Sequence, residues 1–273
     1  MPTNRYKTFI YAALPCEAKP LVEHFKLKKD LSVRPFAVYG NDNLCLTVTG
    51  VGKCAMSAGV AYTQALFAPV ENPVLLNIGI AGHRSHALGG VFLIEKISDS
   101  DTRKNYYPPQ VFKTACPTGS LQTASRPQLD YDHPYLCDME ASAFYETATR
   151  FASAELVQCL KIISDNQLSP AENIKPPLVS ALIAAHISAL ETLMAELIRL
   201  AGLITNPEPE WFAELIKRYR FTVSEQTQLK NRLRQWDCLT DFQALEFDGA
   251  GFRSAKDVLA WLERHIGERA FSL

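Results

Sequence analysis

The chain has 273 residues, 47% hydrophobic and 21% charged, with a formal net charge of −1. That is globular composition with room for one large domain and an appendage. The near-neutral balance argues against function through bulk attraction to nucleic acid or an acidic membrane. The start, 1–7, is polar, and the apolar run at 8–14 is too short for a secretory or membrane segment, so a cytoplasmic protein without a membrane partner is expected. Seven scattered cysteines form no CxxC pair, which points to neither a disulfide framework nor a metal site.

In chain order, apolar runs of strand length lie at 9–14, 44–49, 74–80, 91–97 and 156–163. Several are nearly continuous in apolar character, as strands covered on both faces are. Helical patterns lie between them at 16–25, 52–66 and 139–151, and a long one at 177–203 closes this part. The alternation predicts an α/β fold, a mixed, largely parallel central sheet flanked by helices. Only 99–135, interrupted by prolines, breaks the pattern and reads as loop with one strand. Asn206-Pro207-Glu208-Pro209-Glu210 cannot continue the preceding helix, which divides the chain into an α/β domain at 1–204 and an all-helical extension at 205–273. In the extension Trp211, Leu215 and Tyr219 share one face, and Leu229, Leu233 and Trp236 another. Val258, Leu259, Trp261, Leu262 and Ile266 make a third. Thr222 with Glu225 has capping-box spacing, and Ser254 with Asp257 opens the last helix. The extension holds 10 basic and 11 acidic residues, which reads as solvated helix faces and not as a nucleic-acid surface.

In open parallel sheets ligands bind beyond the carboxyl ends of the strands. Glu17 follows the first strand, Gly50-Val51-Gly52-Lys53 the second, Gly79-Ile80-Ala81-Gly82 the third and Ser164-Asp165 the last, so these residues converge on one edge. Each also has an ordinary structural reading. Glu17 suits the first turn of a helix, and Asp165 and Glu140 suit caps. No Rossmann fingerprint or phosphate loop is present, and the six histidines show neither metal spacing nor a nucleophile partner.

Taken together, these segments resemble the nucleoside phosphorylase superfamily, and within it the methylthioadenosine/S-adenosylhomocysteine nucleosidases. The resemblance rests on Ala13-Leu14-Pro15-Cys16-Glu17, Thr49-Gly50-Val51-Gly52-Lys53, Asn77-Ile78-Gly79-Ile80-Ala81-Gly82, Asp138-Met139-Glu140-Ala141 and Ile163-Ser164-Asp165, in that order. It implies an enzyme that cleaves an N-glycosidic bond without a cofactor. Asp165 would be the acid that protonates a purine leaving group, and Glu17 the residue that orients or deprotonates water. Glu140 would bind the ribose hydroxyls with Met139 against the sugar, and Gly82, Ala81 and Ser164 would line the substrate site. The substrate would be a purine nucleoside or a 5′-modified adenosine, and the family habit is a homo-oligomer, a dimer first. Four departures stand out: Ile80 where the family often has Ser, Lys161 where it has Arg, a shortened 98–137, and the helical extension. In the shortened stretch 118–126 is expected to replace the family's base-binding segment. Lys161 and Arg84, with His83, are the candidates for an anion site, so phosphorolysis stays open as an alternative. Non-catalytic nucleoside binding is the other.

Overall fold

The computed structural model describes residues 7–67, 70–114, 116–204, 208–240, 245 and 251–270. Its elements are β1 (Thr8–Ala12), α1 (Pro15–His24), β2 (Lys28–Lys29), β3 (Ala37–Gly40), β4 (Leu44–Val48), α2 (Lys53–Phe67), β5 (Val74–Gly82), β6 (Val91–Asp99), β7 (Asn105–Tyr106), β8 (Thr118–Thr123), β9 (Leu136–Asp138), α3 (Ala141–Ala148), β10 (Val157–Asp165), α4 (Pro176–Ala184), α5 (Ile187–Ile204), α6 (Phe212–Arg218), α7 (Val223–Thr240) and α8 (Ala255–Ala270). Contacts divide the chain into two compact units, Met1–Thr205 and Asn206–Leu273. The polar start at 1–6 and the Asn206-Pro207 step lie outside the described residues.

The first unit is a mixed α/β structure. At its heart β4, β1, β5 and β10 run parallel. From β10 the sheet continues antiparallel to β6, then parallel to β8 and β9, and β9 returns antiparallel to β5. That circuit closes on itself, so these five strands curl into a barrel-like ring and leave no free edge on that side. On the other side β3 and β2 extend the open sheet antiparallel from β4.

The expectation of loop with one strand at 99–135 is corrected, because β7 and β8 both fall there. The signal for β8 is weak because in TGSLQT only Leu121 and Thr123 are buried. Its ladder comes from β6 and β9, partners set by the closure and not by local pattern. The short strands β2 and β3 were likewise invisible as apolar runs.

Strand alternation sorts the core onto two faces. Phe9, Tyr11, Cys45 and Leu75 point to one side, where Met56 and Val60 of α2 and Phe144 of α3 cover them. Ile10, Leu46, Leu76 and Ile162 point to the other, against Leu21 of α1, Val179 and Ile183 of α4, and Leu190, Leu193 and Leu197 of α5. The single long helix expected at 177–203 is two. The chain bends by 53° between α4 and α5, where the His186 ring donates to the Gly89 carbonyl at 2.6 Å. Among the described residues no single helix is long and apolar enough to cross a membrane.

The second unit is helical. Phe212, Leu215, Leu229, Leu233, Trp236, Val258, Leu262 and Ile266 form its core. Glu225 N–H donates to Thr222 Oγ1 at 3.3 Å and Thr222 N–H to Glu225 Oε2 at 2.8 Å, a reciprocal capping box at the start of α7. Ser254 and Asp257 do the same for α8.

Candidate active site

A cavity of about 170 Å³ opens at the carboxyl ends of β1, β5 and β10. Glu17, Glu140 and Asp165 all line it, as do Met139, Ala81, Gly82, Ser164, Ile80 and Val51. Each acid reaches it by a different local device.

Glu17 stands at the third position of α1. Its Oε2 accepts the N–H of Leu14, the residue before the helix, at 2.8 Å. Its Oε1 accepts the Ile80 N–H from β5 at 2.9 Å. The helix-start role and the cavity position are therefore held by one side chain. The approach to β5 requires Gly79, since a Cβ there would lie 2.9 Å from Glu17 Oε1. Burial pushes the Glu17 carboxyl above the usual range, opposed by the two backbone donors and by the charge of Lys161.

Glu140 is the residue preceding α3, not part of that helix as the 139–151 pattern implied. Its Oε1 accepts the Gly52 N–H at 2.7 Å. That N–H is presented by a turn in which Gly50 and Gly52 adopt φ of +89° and +97°, a region that favours glycine. Burial, and then the neighbouring Asp138 charge, push Glu140 up to about 7, although Lys161 and the Gly52 donor act the other way.

Asp165 ends β10, where a bulge between Ile163 and Asp165 brings it opposite Gly82 of β5. A Cβ at Gly82 would lie 2.5 Å from Asp165 Oδ2, so only glycine fits there with the carboxylate in place. Ser164 Oγ donates to Oδ1 at 2.5 Å, and the Tyr131 hydroxyl donates to Oδ2 at 2.8 Å.

The two expected anion-site residues are placed elsewhere. Lys161 does not line the cavity. It is fully buried and its Nζ is paired with Asp138 Oδ2 at 2.8 Å. Burial alone would lower its affinity for a proton, but the Asp138 and Glu140 carboxylates more than offset this and the net direction is up. Arg84 is exposed and lines a smaller, adjoining cavity with His83, Asp130 and His133, which shares Gly82, Gln128 and Cys137 with the main one. The expected base-binding stretch 118–126 is β8 and the residues after it, and none of it lines the main cavity.

Sequence reasoning assigned no role to Asp138, Tyr131 or Gln128. Asp138 lines the cavity and accepts from Thr123 Oγ1 at 2.7 Å and the Ala141 N–H at 2.9 Å, besides pairing with Lys161. Its position inside the Asp-Met-Glu motif was the available signal. Gln128 and Pro127 line the opening from the loop that follows β8. That loop carried no periodic signal. Among the described residues the cavity lining holds four carboxyl side chains and no Lys, Arg or His.

No protein-family model matches the chain, and no curated protein matches it. Solved structures do. A Helicobacter pylori methylthioadenosine nucleosidase variant with 5′-methylthioadenosine in its active site superposes with a TM-score of 0.55 at 12% identity, covering 70% of this chain and 98% of that one. A Helicobacter pylori futalosine hydrolase mutant gives 0.55 at 12% identity, over 70% and 99%. The Arabidopsis thaliana 5′-methylthioadenosine nucleosidase in apo form gives 0.54 at 19% identity, over 73% and 96%. The fold is that of the nucleoside phosphorylase superfamily. The cavity lies where the parallel strands β1, β5 and β10 end, as the rule for parallel sheets requires.

Proposed function

We propose that this chain is a nucleosidase that hydrolyses the N-glycosidic bond of a purine nucleoside or a 5′-modified adenosine. The observation that carries the reading is the meeting of Glu17, Glu140 and Asp165 in one acid-lined cavity on this fold. Cleavage of the ribosyl C–N bond builds positive charge on the sugar, and preorganised carboxylates around the sugar stabilise that charge. The departing base gains electron density, which a proton from Asp165 neutralises. Glu17 takes a proton from water as its oxygen bonds to the sugar carbon. Glu140, fixed by Gly52, accepts or shares hydrogen bonds with the ribose hydroxyls, and Met139 packs beside them.

Water is favoured over phosphate on electrostatic grounds. A dianion entering a cavity lined by four carboxyl groups meets repulsion, and Lys161 is committed to Asp138. The test is base release from a nucleoside panel that includes 5′-methylthioadenosine, with and without phosphate. Release independent of phosphate is expected. Release only with phosphate would overturn hydrolysis, and binding without turnover would overturn catalysis.

A further inference from the structure

The Tyr131 hydroxyl occupies Asp165 Oδ2 while it accepts the Ala171 N–H at 2.8 Å. Because it accepts from Ala171, its own proton is directed at Asp165. With Ser164 donating to Oδ1, both carboxylate oxygens already accept from hydroxyls, which leaves Asp165 arranged as an acceptor toward both. A base nitrogen with a lone pair needs the reverse, a donor. Tyr131 is buried although it belongs to a loop without helix or strand, and its φ of +50° lies in a region costly for an aromatic residue. The phenol therefore ties two segments together across Asp165: the loop whose Pro127 and Gln128 line the cavity, and the segment beginning at Ala171, which also lines it. The cavity's volume, about 170 Å³, is below the roughly 300–1,000 Å³ of sites that take ligands of this class.

We infer that Tyr131 is a specificity-determining latch that competes with the purine base for Asp165, so that the base is admitted only by displacing the phenol. This rests on the reading of Asp165 as the residue that meets the base. Other groups facing this pair are Ser164, Cys137 and Glu172. None of them bridges the two segments. Releasing the phenol frees Oδ2, relaxes the Tyr131 backbone and lets the 127–131 loop withdraw.

The experiment is calorimetric titration of adenine into the full chain and into Tyr131→Phe, which deletes one hydroxyl. One hydrogen bond to the Asp165 carboxyl group is at stake, so adenine should bind Tyr131→Phe about tenfold more tightly than the unaltered protein. Unchanged or weaker binding would overturn the latch, since a merely structural hydroxyl loosens the site when it is removed. A second measurement does not depend on the variant folding. Saturating adenine should speed hydrogen exchange of the Ala171 amide severalfold, and undiminished protection would also overturn the proposal. If the unaltered protein releases base from the panel but Tyr131→Phe binds adenine no better, the latch alone falls. If neither protein binds adenine and no nucleoside is cleaved, the purine reading falls with it.

Discussion

The two ends of the cavity are built from different materials. At one end Glu17 and Glu140 are held by backbone N–H groups of Leu14, Ile80 and Gly52, which belong to strand ends and helix starts. At the other end Asp165 is held by two side-chain hydroxyls, one of them supplied by a loop. Backbone donors cannot leave without unfolding their elements, whereas a phenol on a loop can rotate away. The first end is therefore rigid by construction and the second is able to exchange partners.

The largest expected effect tests the exchanging end. Asp165→Asn keeps the shape but removes the transferable proton, and base release should fall by about 10²–10⁴-fold with the thermal unfolding curve little changed. Retained activity would remove Asp165 from the proposed mechanism. Next, Gly82→Ala and Gly79→Ala place a methyl against Asp165 and Glu17 respectively, at 2.5 and 2.9 Å. Displacing a reacting group by about 1 Å costs on the order of 10²-fold. The Asp165 end should yield by rotation and lose turnover. The Glu17 end, with its carboxylate fixed by two N–H groups, should lose stability as well, which parallel activity and denaturant measurements would separate.

Lys161→Met probes what underlies both ends. It leaves Asp138 buried without its ion-pair partner, and unpairing a buried charge costs about 3–5 kcal/mol in denaturant-derived stability. A neutral result would show that Asp138 is solvated in solution. The smallest effect is a pH slope. Glu140 has its pKa raised from 4.5 to about 7, so between those values the folded state binds more protons than the unfolded chain. Stability from this group is present below pH 4.5 and is lost as pH rises towards 7. Glu140→Gln should remove that part of the slope, so that the variant gains on the unaltered protein at pH 8 relative to pH 5. Parallel slopes would contradict the raised value.

The rigid end was the more legible in sequence. Glu17, Gly52 and Gly79 sit at fixed distances from apolar runs, and an acid or glycine just beyond a strand is a local pattern. Asp165 was legible for the same reason, although β10 runs on to include it where a loop was expected. Tyr131 was not, because a loop residue without periodicity acquires its place only when the chain around it folds. Lys161 shows a different limit. Its type and interval were readable, but whether its charge faces a ligand or a buried aspartate depends on which strand lies beside it.

By itself the sequence determined the α/β class, the two-faced burial of the parallel strands and the capped helices of the second unit. These follow from periodicity and caps, which act over a few residues. Tertiary structure alone decided the closure of β5, β10, β6, β8 and β9 into a ring, the pairing of Lys161 with Asp138 and the seat of Tyr131 on Asp165. Each joins residues far apart in the chain. Such contacts are selected by competition among all possible partners for burial and hydrogen bonds, which no local pattern records.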